Sequence, residues 1–193
     1  MTEIIIGAGA SGLACAIRLK QNMPNDEVIL LERLDTLGKK ILATGNGRCN
    51  LSNEHAEHYK EVINFFNNIG LKTKSDSEGR IYPYSNQAAT VRDMLEKECI
   101  RLKVQIITDC TVKSIDRDLI VSTDCGMFYA DSVIIAAGGM AQSSLGSNGS
   151  GYEILKNLGH RITPLSPALV QLVSSSKYPR QLKGQRVKYE NTS

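Results

Sequence analysis

Apolar and polar positions along the chain sort into two kinds of run. Unbroken apolar stretches stand at Ile4-Ile5-Ile6, Val28-Ile29-Leu30-Leu31 and Val133-Ile134-Ile135-Ala136, the pattern of short strands covered on both faces in a parallel sheet. Helically spaced apolar residues predict helices over residues 10–21, 55–69, 86–102 and 152–159; Val62, Phe65, Phe66 and Ile69 form the stripe of the second, which Gly70 ends. Between them, 71–84 predicts a hairpin turned at Ser77-Glu78-Gly79, and Val104–Ile107 a further strand. Residues 111–115, 119–123 and 127–129 predict three short strands separated by Asp- and Gly-containing turns, a β-meander. The order is strand, helix, strand, then a meander in place of a crossover helix, then another strand. It predicts an α/β domain over 1–164 built on a parallel sheet. Pro164-Leu165-Ser166-Pro167 then opens the start of a second, mostly β domain over 165–193, with strands expected over Leu169–Val173 and Arg186–Tyr189.

The first strand runs directly into Gly7-Ala8-Gly9-Ala10-Ser11-Gly12. This is G-x-G-x-x-G in the context it requires, strand before and helix after. Gly7 permits the tight turn, Gly9 lets a pyrophosphate approach the backbone, and Gly12, with Ala16, lets the helix pack close to the sheet. The N–H groups of the helix start, at Ala10 and Ser11, then face an anion, aided by a helix-dipole charge of roughly +0.5. Glu32 closes the second strand twenty residues after Gly12, where a carboxylate accepts hydrogen bonds from ribose hydroxyls. Strand, glycines, helix, strand and acid together identify a Rossmann-like dinucleotide-binding unit.

Residues 38–53 have no clean period and are rich in glycine, cations, amides and hydroxyls. They predict a loop lying along a polyanionic ligand rather than a core element. Lys39, Lys40 and Arg48 balance diphosphate charge, glycines such as Gly47 turn N–H groups inward, and Asn50 and Asn53 address a heteroaromatic edge.

Net charge is +3, yet the first 170 residues carry 18 basic against 19 acidic side chains. The excess sits beyond Gln171, and a solvated face is the expectation there rather than a nucleic-acid surface. No apolar run reaches the ~20 residues that span a bilayer, so no membrane partner is expected, and no signal peptide is legible. Five cysteines, an odd number without C-x-x-C spacing, point to a reducing cytoplasm and argue against a zinc ribbon or a dithiol redox pair. His55 and His58 stand three apart but lack the further ligands of a metal site.

The segments G-A-G-A-S-G-L, E-R before L-G-K-K (Glu32 and Arg33), and above all L-A-T-G-N-G-R-C-N-L-S-N resemble the bacterial aminoacetone-oxidase-like and bile-acid-reductase-like FAD-binding flavoproteins. Gly79-Arg80-Ile81-Tyr82-Pro83, Ala136-Ala137-Gly138-Gly139 and Gly146–Tyr152 fit later blocks of that family. Ser150 stands where the family often has Asp, and Leu145 where Thr is common. The resemblance implies FAD as cofactor, with the backbone of Val112 on the adenine edge and Ala137, Gly138 and Gly139 closing on the pyrophosphate side. It implies an oxidoreductase acting on a small organic substrate, with NAD(P)H a candidate electron donor. It also implies a longer protein, in which a later segment covers the flavin. The competing expectations are a dinucleotide-binding module without turnover, and an NAD-dependent dehydrogenase. The meander, the basic loop and the lack of a second G-x-G-x-x-G speak against the dehydrogenase. Flavins carry their own two-electron chemistry, so no catalytic residue is assigned. Cys49 is expected to be a small packed thiol rather than a nucleophile activated by Arg48. Tyr82 and Tyr84 are expected as half-buried strand aromatics.

Overall fold

The computed structural model describes residues 1–167 and Ser175 of the 193-residue chain. The chain divides into two compact units, Met1–Ile162 and Thr163–Ser193. The strands expected over 169–173 and 186–189 lie outside the described residues.

The first unit is built on a four-stranded parallel sheet. β1 (Thr2–Ile6) lies between β2 (Glu27–Leu31) and β10 (Ser132–Ile135), and β6 (Gln105–Ile107) flanks β2. α1 (Ala10–Asn22) makes the first crossover. The register places Ile134, Ile5, Leu30 and Ile106 in one row across the sheet. That row faces a core made by Leu13, Ala16 and Ile17 of α1 and by Val91, Leu95 and Cys99 of α4 (Ala88–Arg101). The alternate rows, with Ile4, Ile6, Ile29 and Leu31, face the other way. There they meet Ile115 and Val121 of the meander β7 (Val112–Ile115), β8 (Ile120–Thr123) and β9 (Met127–Tyr129), together with Ile154 of α5 (Ser150–Asn157). Both faces of the sheet are thus covered, which is why its strands read as unbroken apolar runs. Each fully buried Ile or Leu contributes about 1.5–3 kcal/mol.

Three expectations need correction. The stretch 38–53 is not purely a loop: it holds α2 (Lys39–Ala43), a 3-10 turn (Thr44–Gly47) and β3 (Ser52–Asn53), and Ile41 and Cys49 are buried in the core. Two apolar side chains in a polar stretch suffice to anchor it, a signal too sparse for a period. The second helix, α3 (Tyr59–Asn68), begins four residues later than expected. β3 pairs with the second strand of the hairpin β4 (Thr73–Ser75) and β5 (Arg80–Pro83), making a separate three-stranded sheet. Finally, the cysteines do contain a pair: Cys110 and Cys125 form a disulfide, their Cα atoms 5.7 Å apart, leaving Cys15, Cys49 and Cys99 free. The β8–β9 turn brings the two together, which spacing along the chain does not reveal.

Candidate functional site

The three glycines of the first turn do different work. Gly7 has φ +103°, and a Cβ there would stand 2.7 Å from the carbonyl oxygen of Ala136. A Cβ at Gly12 would stand 1.8 Å from the carbonyl oxygen of Gly7, so the helix start is seated directly on the turn. Gly9, by contrast, has φ −76°, and its Cβ would meet nothing within 4 Å. Two glycines are therefore required by the protein's own packing, and the third keeps a space open. Among the described residues no side chain caps α1, so the first-turn N–H groups beside that space have no side-chain partner there.

Glu32 stands at the adjoining strand end. Its Oε2 accepts the N–H of Ala8 at 2.8 Å and its Oε1 that of Leu34 at 2.9 Å. Its own N–H donates to the carbonyl of Ile107, and its carbonyl accepts from Cys110, fixing the end of β6 beside it. Two cations reach from this side to the glycine-rich loop before α5. Arg33 Nη2 donates to the Gly146 carbonyl at 3.0 Å. Lys40 Nζ donates to the Ala141 carbonyl at 3.2 Å and to the hydroxyl of Ser147, a buried side chain.

These elements border a cleft of about 490 Å³. Gly7, Gly9, Ala10 and Ser11 line it at the start of α1; Glu32 and Arg33 line it after β2. Lys40 and Asn50 come from the 38–53 stretch, Val112 from β7, and Ala137 and Gly138 from the turn after β10. Four expected residues are not brought to it. Gly12 lies behind the turn. Gly139 faces α5, where a Cβ would stand 3.2 Å from Tyr152 Oη. Gly47 is outside the lining, with φ +80°.

Arg48 is turned away because left-handed conformations at Gly45 and Asn46 fold the loop back on itself. Its guanidinium lies 4.4 Å from the ring centre of buried Tyr82, and Nε donates to the Gly45 carbonyl at 3.3 Å. Tyr82 is thus a packed aromatic, whereas Tyr84 is 70% exposed. Cys49 is buried with φ +59°, and burial raises its thiol pKa against a smaller lowering by a hydrogen bond with Thr44. It is the packed thiol that its type favours, not an activated one. Asn53 is engaged elsewhere: its Nδ2 donates to the Glu78 carbonyl, and its Oδ1 accepts from the N–H of His55. His58 is exposed and pairs with Glu61 at 2.9 Å.

The cleft also takes residues that the sequence did not single out as ligand groups. Cys110 and Thr111 border it beside Val112, and Gly146 and Ser147 across from Lys40. Its far end is apolar, formed by Phe65 and Phe66 of α3 and Val91 and Leu95 of α4. The stripe on α3 was legible, but its facing a cleft depends on where α4 packs.

Residues 1–61 and 56–183 match the HI0933-like protein Rossmann domain family. The chain is 44% identical over 190 residues to the 3-dehydro-bile acid delta(4,6)-reductase of Clostridium scindens, covering 87% of this chain and 46% of that protein. It is 27% identical over 189 residues to the ribosomal RNA dihydrouridine synthase of Escherichia coli, covering 86% of this chain and 46% of that protein. The chain therefore spans about half the length of these relatives. Among solved structures, Thermovibrio ammonificans THI4 has a TM-score of 0.61 at 13% identity, over 82% of this chain and 62% of that one. The Diels-Alderase PyrE3 of pyrroindomycin biosynthesis has a TM-score of 0.50 at 19% identity, over 72% of this chain and 32% of that one. At such identities the likeness is one of fold. With its parallel sheet, its glycine turn and its match over most of its length, the chain belongs to the HI0933-like protein Rossmann domain family.

Proposed function

We propose that this chain is the FAD-cradling portion of a flavin-dependent oxidoreductase that reduces a small organic substrate. The observation that carries it is the placement of Glu32 beside the uncapped start of α1, with open space at Gly9 between them and the cleft. A diphosphate fits there by charge and shape: Gly9, Ala10 and Ser11 offer N–H groups, and Lys40 offers a cation bonded, among the described residues, to a carbonyl and a hydroxyl. Glu32 would take the ribose hydroxyls, the Val112 backbone the adenine edge, and Ala137 and Gly138 the close approach to the diphosphate. Asn50 would address the flavin side. When bound, the flavin supplies the two-electron chemistry. The protein's part is to hold, orient and screen it, and Phe65, Phe66, Val91 and Leu95 would give that part of the cleft an apolar lining against the flavin.

Saturation of a carbon–carbon double bond is the reaction class we favour. The names of both relatives, a delta(4,6)-reductase and a dihydrouridine synthase, denote that outcome in their own substrates. NAD(P)H is the candidate electron donor. A cytoplasmic location belongs to the same proposal; the three free cysteines support it and the Cys110–Cys125 disulfide counts against it. We also propose that residues 165–193 begin a substrate-side domain.

The test is direct. Protein purified after incubation with FAD should be yellow and keep its flavin absorbance through gel filtration. A colourless preparation that binds neither ADP nor FAD refutes the proposal. The second possibility is a dinucleotide-binding module without turnover. It predicts FAD retention with no flavin reduction by NADH or NADPH.

A further inference from the structure

Cys110 and Cys125 play no part in the proposed chemistry, yet their disulfide sits at the adenosine end of the cleft. Cys110 is buried, lines the cleft between β6 and β7, and donates its N–H to the carbonyl of Glu32 at 2.9 Å. Cys125 lies in the exposed β8–β9 turn. The same turn reaches back through Asp124, whose Oδ1 accepts the N–H of Thr111 at 2.7 Å and whose N–H donates to the Thr111 carbonyl at 3.1 Å. The disulfide ties the β8–β9 turn covalently to Cys110, the residue that hydrogen-bonds the Glu32 carbonyl. The turn is otherwise held by the Val112–Thr123 pairing of β7 and β8, by the buried contacts of Ile115 and Val121, and by the Asp124–Thr111 hydrogen bonds, which lie at the surface where water can compete.

We propose that Cys110 and Cys125 are a redox-reversible clasp that fixes the meander against the adenosine end of the cleft, so that reduction by a dithiol weakens adenine-dinucleotide binding. The affinity effect rests on the function proposed above. The exposed Cys125 sulfur is the accessible one. A reductant thiolate attacks it, a mixed disulfide forms, and Cys110 leaves as thiolate and takes up a proton. The reductant's second thiol then closes its own disulfide, releasing Cys125 as a thiol. Two electrons and two protons pass to the protein, and the dithiol becomes a disulfide. A low-molecular-weight disulfide drives the reverse exchange.

The experiment uses the full chain with ADP as probe. Air-oxidised protein, denatured and alkylated, should show three thiols, and protein pretreated with dithiothreitol should show five. Reduction should weaken ADP binding by about fivefold or more, because the meander gains local freedom once the cross-link is lost. Reoxidation with glutathione disulfide should restore it. Amide exchange at Thr111 and Asp124 should speed up on reduction, a readout that needs no ligand. Cys125→Ser should behave as the reduced protein under both conditions. Five thiols before reduction, unchanged amide exchange, or equal ADP affinity in both states would each overturn the clasp. Failure of ADP to bind in either state overturns the proposed function and the affinity effect together, while thiol count and amide exchange still decide whether the tie exists.

Discussion

Glu32 Oε2 and the N–H of Ala8 are joined by a 2.8 Å hydrogen bond across the first two strand ends. With Leu34 on the other oxygen, one carboxylate holds both turns that border the cleft, and each oxygen keeps a lone pair for a sugar hydroxyl. Structure and binding are thus entangled at this residue, and two variants separate them. Glu32→Ala should lower stability by about 1–3 kcal/mol, since it orphans backbone donors, and should abolish ADP binding. Glu32→Gln keeps an acceptor oxygen and should hold most of the stability, yet weaken ADP about tenfold through loss of charge-assisted bonds. Urea titration and calorimetry measure the two effects. Wild-type affinity in Glu32→Gln would remove Glu32 from the site.

The glycine turn gives an opposite pair of outcomes. Gly9→Ala places a methyl in open space at an ordinary φ, so stability should stay within about 0.5 kcal/mol while FAD retention falls at least tenfold. Gly7→Ala meets the Ala136 carbonyl at a left-handed φ and should cost at least about 1–3 kcal/mol. If the Gly9 variant is the unstable one and still binds, the division of labour between these glycines is wrong.

Lys40 offers a test of what the cleft recognises. Lys40→Met should weaken ADP about tenfold and leave adenosine unchanged, because the lost interaction is with phosphate charge. The ADP affinity of the parent protein should also fall as salt is raised. Equal losses for ADP and adenosine would mean that Lys40 acts only by holding the Ala141–Ser147 loop.

Cys99 provides a pH signature. Its thiol, buried against the Leu13 carbonyl at 3.8 Å, is pushed up to about 12 from 9.0 by burial, with Glu98 and Glu96 adding to the effect. The folded value exceeds the unfolded one, so the folded state holds the extra proton between them. The contribution to stability is complete below about pH 9 and is lost as pH rises towards 12. Urea midpoints taken across that range should fall, and Cys99→Ala should flatten part of the slope. In the native protein at pH 8, iodoacetamide should modify the partly exposed Cys15 first and spare Cys99.

The main sheet was legible because burial on both faces writes itself as unbroken runs such as Ile4-Ile5-Ile6, and the meander because its turns carry Asp and Gly. The glycine turn and Glu32 could be found from spacing alone. What the sequence could not show were relations set by tertiary packing. Arg48 reads as a phosphate cation, but Asn46 in a left-handed conformation and the face of Tyr82 take it elsewhere. Cys110 and Cys125 are fifteen residues apart, and only the β8–β9 turn folding back explains their pairing. The apolar part of the cleft draws Phe65 and Phe66 from α3 and Val91 and Leu95 from α4, and neither helix announces the other.

The central strand has a consequence for synthesis on the ribosome. β1 emerges first, yet one of its two neighbours is β10, in a register that sets Glu3 opposite Ser132. Most of the unit must leave the exit tunnel before its earliest residues gain their second partner, and such long-range pairing is intrinsically slow. On the function proposed here, cofactor loading onto a nascent chain waits until Ala137 and Gly138, which line the cleft just past β10, have also been translated.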